Sequence, residues 1–186
     1  MSEIQAVPEM LLAGGEVLAL IDPVSGEFVL PNTDPLLVRE YLMLVAKRLL
    51  AMPGKKLELE VRHTFLEGMY QRELLIPKGT LLMGKIHKQA CMNIVSKGDI
   101  AVLTETGSAR VKAGFSVVSP AGIQKLGYAH EDTIFVNVFR TDETDPGKIE
   151  DVIAWESYEA FDAPMIEGNT MRIDTSSTAN AARGQS

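Results

Sequence analysis

The sequence predicts a mainly β, single-domain barrel or double-sheet jelly roll, and three observations carry that expectation. Short apolar runs recur between residues 57 and 140, separated at even intervals by turn residues. Gly98-Asp99 and Pro120-Ala-Gly122 stand between such runs, where the chain must reverse and a positive φ is costly for any residue with a Cβ. Long helical periodicity occurs once, before the strands, with a shorter mixed pattern after them. At 186 residues and 46% hydrophobic, the chain can bury one good core. The organisation expected is an N-terminal hairpin and wrapping helix over 1–56, the barrel over 57–140, a helical segment over 141–167 and a polar tail over 168–186.

Each element has its own signal. Asp22-Pro-Val-Ser-Gly26 is a turn joining 17–21 to 27–30 as a hairpin. Asp34-Pro35 starts a helix over 35–52, with a capping carboxylate and a proline at the first helical position. Leu36, Leu37, Tyr41, Leu44, Val45 and Leu49 form its apolar stripe, for core packing or a subunit contact, and Pro53-Gly54 stops it. Residues 57–61 alternate as a half-buried strand, Glu67-Gly68 turns the chain, and 70–76 and 80–87 give further strands. Residues 100–104 and 109–113 pair as a hairpin around Gly107. A helix is expected over 149–161, ended by Pro164, with Trp155 as a packing residue. Residues 174–186 are Ser/Thr/Ala/Asn-rich and predict a mobile tail.

The run from Gly79 to Lys125 resembles the two-part signature of the cupin family. The first part there is Gly, five residues, His-x-His, three or four residues, Glu, six residues, Gly. The second is Gly, five residues, Pro-x-Gly, two residues, His, three residues, Asn. Gly79, Gly98, Gly114, Pro120 and Gly122 match in register. Of the four metal ligands that the family usually carries, the second His survives as His87, whereas Lys85, Cys91 and Lys125 replace the others and Ala129 stands at the Asn position. Residues 60–153, with 84–87, 119–122, 127–133 and 136–138 as the closest runs, are similar to cupin-like proteins encoded by tailed bacteriophages. That group commonly has a His where Cys91 stands.

What the resemblance implies is a cavity in which Lys85, His87, Cys91 and Lys125 converge. If His87 faces inward, alternation puts Leu81, Met83 and Lys85 inward as well, with Ile86 and Lys88 outside and Cys91, Asn93 and Val95 inside on the next strand. A protonated lysine has donors and no lone pair, so two of them repel a divalent ion and attract a small anionic ligand such as a carboxylate, phosphate or sugar acid. The bland alternative has both lysines bend to the rim and pair with acidic residues such as Asp99 or Glu105. The reading is therefore a degenerate, non-catalytic barrel of phage type that binds such an anion or serves as a virion or assembly component, with no cofactor. One alternative is a small metal-dependent enzyme, an isomerase or dioxygenase, holding Zn or Fe through His87, Cys91 and His130. Another is a metal-free sugar-nucleotide isomerase with His87 as base and a lysine polarising a carbonyl. His63 reads as a surface or satisfied core residue.

Charge and composition exclude several partners. Net charge is −7, from 18 basic and 25 acidic residues, which leaves no chain-wide footprint for nucleic acid or an anionic membrane. A single cysteine rules out an intrachain disulfide and fits a reducing compartment. There is no signal-peptide pattern after Met1 and no apolar run of about 18 residues, so the expected location is the host cytoplasm or the virion. The expected partners are further copies of the chain, as a homo-oligomer, or other virion subunits.

Overall fold

The computed structural model describes residues 9–13, 16–51, 58–155 and 158, with side chains from Leu18 onward. The tail expected over 168–186, and the part of the expected helix beyond Tyr158, lie outside the described residues.

Strand β1 (Glu9–Ala13) pairs antiparallel with β2 (Glu16–Ile21). The hairpin expected between 17–21 and 27–30 is reduced to one bridge, Ile21 with Phe28. Its turn is built by Asp22, whose Oδ1 accepts the Val24 and Ser25 N–H groups at 2.9 and 2.8 Å. Helix α1 (Pro35–Ala51) starts as expected, with the Leu36 N–H donating to Asp34 Oδ1 at 2.9 Å. Its buried face is Val38, Leu42 and Val45, which pack with Ala19, Ile21 and Phe28. Leu36 and Leu44, expected on that stripe, are 68% and 47% exposed. Tyr41, on the expected stripe, does face the core side and donates its hydroxyl to the Leu18 carbonyl at 2.5 Å.

Two antiparallel sheets form the barrel. One runs β10 (Ser116–Ser119), β7 (Cys91–Lys97), β12 (Thr133–Arg140), β4 (Met69–Ile76), β3 (Glu60–Leu66). The other runs β5 (Leu81–Met83), β11 (Leu126–Ala129), β8 (Asp99–Thr104), β9 (Gly107–Lys112). Neighbours distant in sequence, such as β7 beside β12, give the crossed connections of a jelly roll. Ile76, Val95, Ile100, Val111 and Ala129 meet between the sheets, joined by Leu74, Leu82, Val102 and Phe135. The outer face of the smaller sheet carries Ala101 and Leu103, and α1 lies on it.

The strand expected over 80–87 is broken. Gly84 donates its N–H to the Lys125 carbonyl at 2.8 Å, and the chain resumes as β6 (Ile86–His87). The break shifts the alternation. Leu82 points into the barrel, Leu81 and Met83 pack on the α1 side, and Ile86 is buried at 2% exposure, contrary to the period-two expectation. Cys91, Asn93 and Val95 do face inward.

Helix α2 (Ile149–Ile153) closes one end, where Ile149 and Ile153 pack on Tyr70, Cys91 and Phe139. It is interrupted at Ala154, which turns extended as β13 (Ala154–Trp155) pairs with β6, Ala154 opposite His87. The Lys88 ammonium lies 4.4 Å from the Trp155 ring centre, so this tryptophan packs against a cation. No described helix is long and apolar enough to cross a membrane.

All four signature glycines have positive φ: 78° at Gly79, 88° at Gly98, 94° at Gly114 and 83° at Gly122. At Gly98 space is lacking as well, since a Cβ would run into the Asp132 carbonyl oxygen and the backbone of Thr133. Gly98→Ala should therefore cost about 2–4 kcal/mol, combining left-handed strain with a clash against backbone. A urea-unfolding midpoint that stays at the parent value would show that the β7–β8 turn relaxes freely.

Candidate functional site

The interior is apolar at both ends and polar in the middle. Register creates the polar band. Asn137 on β12 lies opposite Arg72 on β4 and Asn93 on β7, so three polar residues stand side by side on the inner face of one sheet. Asn137 Nδ2 donates to Asn93 Oδ1 at 2.8 Å, and Asn93 Nδ2 donates to Ser119 Oγ at 2.8 Å. Weaker bonds run from the same amide to the Cys91 and Val117 carbonyls at 3.3 Å each. Asn93 is 1% exposed, so this network replaces the water it gave up.

His87 and Cys91 join the band from β6 and the start of β7. His87 Nδ1 and Cys91 Sγ are 3.1 Å apart and hydrogen-bonded, and the His87 ring meets Phe139 edge-on at 5.0 Å. Burial, then Lys125 and then Arg72 push the His87 pKa down to about 3. Burial likewise raises the Cys91 thiol, with Lys125 and the Asn93 bond acting against it. Both groups are therefore neutral around pH 7.

Lys125 enters from the residue before β11. Its Nζ is buried and has no hydrogen-bond partner among the described residues. Burial lowers its pKa, opposed by the nearby Cys91. A cavity of about 70 Å³ is lined by Lys125, His87, Asn137 and Lys85 among apolar side chains, with room for several waters or a small ligand group. A larger hollow of about 540 Å³ lies on the other side of Lys125, with Val102 and Phe135 also shared by the two walls.

Lys85, His87, Cys91 and Lys125 were expected to converge, and three of them do. Lys85 lines the mouth of the smaller cavity, but its ammonium reaches out to Glu150 Oε2 at 2.8 Å and its side chain is half exposed. The break at Gly84 turns this residue out of the alternation, and an exposed pair avoids the desolvation that an inward ammonium would suffer. Glu150 also takes Arg72 Nη2 at 3.3 Å, and the Lys85 bond, first among its causes, holds this carboxyl below the ordinary range. Asp99, expected as a rim partner, is occupied by Arg110 and Lys112.

His130 does not join His87 and Cys91. Its Nε2 meets the Gly26 carbonyl at 2.7 Å and its ring stands edge-on to Tyr128, facing the N-terminal hairpin. Among the described residues no three His, Cys, Asp or Glu side chains gather as metal ligands. The donor set does not fit Zn or Fe, because His87 and Cys91 are bonded to each other and the Lys125 amine shares their cavity. His63 lies mid-strand, its Nδ1 2.8 Å from the Tyr70 hydroxyl, as a satisfied side chain.

Sequence reasoning passed over Asn137, Ser119, Arg72 and Glu150. Alternation along 133–140 would have placed Asn137 inward, whereas the Arg72–Glu150 contact depends on how α2 folds back and leaves no local signal.

The two antiparallel sheets, with positive-φ glycines at their turns, make a mainly β barrel of the jelly-roll kind. No protein-family model matches the sequence, and no curated protein matches it either. Among solved structures it is similar to KdgF from Halomonas sp., at 16% identity and TM-score 0.42 over 49% of this chain and 86% of that one. An RmlC-like cupin from Shewanella frigidimarina aligns at 16% identity and TM-score 0.39, over 47% of this chain and 86% of its own. A cupin superfamily protein from Desulfitobacterium hafniense aligns at 5% identity and TM-score 0.40, over 50% and 87%.

The depressed His87 pKa sets the sign of a pH effect. The unfolded state takes up a proton near pH 6.5 and the folded state only near 3, so this contribution to stability is complete above 6.5 and is lost as pH falls towards 3. The slope is up to about 1.4 kcal/mol per pH unit in that window. NMR should show the His87 ring resonances flat from pH 8 to pH 5. A midpoint near 6.5 would place the ring in water.

Proposed function

We propose that the barrel is a non-catalytic module that binds a small anion, with the Lys125 ammonium holding the charged group. The observation that carries this is the buried Lys125 Nζ, left without a partner beside a cavity. An ammonium in that position is costly unless it loses its proton or gains an anion, and the space next to it admits one. Neighbouring neutral groups, the Asn137 amide and the His87 ring, can orient a bound carboxylate without competing for charge.

The isomerase reading keeps one observation in its favour, that neutral His87 and Lys125 line one cavity. Against it, His87 Nδ1 is bonded to a thiol, where a base of that kind needs a carboxylate to orient it. A place in a bacteriophage particle or the host cytoplasm, and assembly with itself or with virion subunits, rest on the sequence resemblance alone.

Lys125→Met tests the reading in two directions. Without ligand, the variant should be more stable by about 1–2 kcal/mol, because it removes an unpaired buried amine and keeps its stem. Acetate at constant ionic strength should raise the melting temperature of the parent above its value in chloride and leave that of the variant unmoved. Equal acetate responses in the two proteins would remove Lys125 as an anion site.

A further inference from the structure

The chemistry open to Lys125 changes once its amine carries no proton. Its backbone is pinned, since the Gly84 N–H donates to the Lys125 carbonyl at 2.8 Å and Gln124 Nε2 donates to the Gly84 carbonyl at 3.0 Å. The Nζ at the end of this stem is buried without a hydrogen-bond partner among the described residues. It borders both interior spaces, and among the described residues that line them there is no Asp or Glu. A proton on Lys125 therefore has no carboxylate to pair with, and burial lowers the pKa of the amine. Without that proton the nitrogen has a lone pair and is a nucleophile.

The smaller cavity suits an electrophile of a particular kind. Its volume of about 70 Å³ holds a body of a few carbons beside the amine. Leu74, Leu82, Ile100 and Val102 make its wall apolar, so a charged reactant would lose hydration there and an uncharged one would not. Asn137 lines the same cavity. An amide nitrogen has two N–H groups, and Asn137 gives one to Asn93 Oδ1, which leaves one to polarise a carbonyl oxygen.

We infer that Lys125 captures a small, uncharged aliphatic aldehyde as an imine, with the alkyl chain against Leu74, Leu82 and Ile100. The nitrogen lone pair forms the C–N bond while the carbonyl π pair moves to oxygen. Both amine protons then leave with that oxygen as one water, and the C=N bond closes. Amine and aldehyde give imine and water, so nothing is oxidised or reduced. Water reverses the step, and the barrel remains a binding module. This goes beyond the anion reading, which uses the protonated form of the same amine, so the two occupants exclude each other.

Treating the full chain with butanal and sodium cyanoborohydride, which fixes an imine as a secondary amine, tests the capture. Mass spectrometry at short times should find a single butyl group per chain. Peptide mapping should place it on Lys125 ahead of Lys148, whose side chain is 70% exposed. Lys125→Met should lose this fast adduct, and urea should erase the preference in the parent. Label on exposed lysines with Lys125 unmodified in the folded parent would overturn the capture, whether or not the variant folds. Pyruvate captured as fast as butanal would overturn the uncharged class. On the anion reading, acetate should slow the labelling of Lys125 by holding its proton in place. Fast labelling that acetate leaves unchanged would overturn the anion reading and keep the aldehyde. A rise in melting temperature with acetate in the parent alone, with no labelling at Lys125, would overturn the aldehyde and keep the anion.

Discussion

The bidentate pair between Asp99 and Arg110 is the contact on which the rest of the barrel is registered. The Asp99 side chain is only 3% exposed, yet Arg110 donates to both of its oxygens at 2.8 Å, from Nε and Nη2. That hydrogen-bonded partner holds the carboxyl below its ordinary pKa, so the pair stays ionic inside the fold. It binds β8 to β9 across the hairpin. The Asp99 backbone carbonyl meanwhile accepts the N–H groups of His130 at 2.8 Å and Glu131 at 3.3 Å, which fixes the turn after β11. Arg110 also reaches the Ser25 carbonyl at 3.4 Å, and His130 the Gly26 carbonyl, so the N-terminal turn is tied to the same node. Lys125 projects from the residue before β11, and its placement depends on these bonds.

With the walls fixed, the interior divides by how well its polar groups are satisfied. Asn93, Asn137 and Ser119 form a closed chain of hydrogen bonds, and His87 and Cys91 satisfy each other. These groups rigidify the band and are uncharged, so their burial is inexpensive once they are paired. Lys125 is different in kind. Its Nζ is buried without a partner among the described residues, and it borders open volume.

The barrel was legible in the sequence because its turns were. Gly79, Gly98, Gly114 and Gly122 reported backbone geometry directly, through conformations that a Cβ disfavours, and all four have positive φ. Helix α1 was equally plain, since Asp34-Pro35 carries capping chemistry within a few residues. The side-chain directions around Lys85 were not legible. Alternation assumes one unbroken strand, whereas β5 pairs with β11 and β6 pairs with β13, so the two halves of 81–87 answer to different partners. Trp155 was lost to a helix for a related reason, because its strand pairing with Ile86 is long-range. Local patterns fix what a residue prefers, and tertiary pairing decides which preference survives.

Charge is balanced at the mouth of the smaller cavity. The strand that carries His87 offers Lys85 at the entrance of the smaller cavity, and β4 offers Arg72 beside Asn137. Left alone, these two cations would draw an anion to the rim, where water screens the attraction and little distinguishes one anion from another. Glu150 removes that competition. Folding of α2 back onto the barrel places one carboxylate between Lys85 at 2.8 Å and Arg72 at 3.3 Å. The same fold-back pairs Ala154 with His87 and packs Ile149 and Ile153 over the end of the core. Lys125 is set deeper, with its Nζ out of reach of solvent. In a low-dielectric interior the field of a charge is stronger than that of the same charge at the surface. The short helix, easily read as a mere appendage, therefore both closes the barrel and pairs the two cations at its rim.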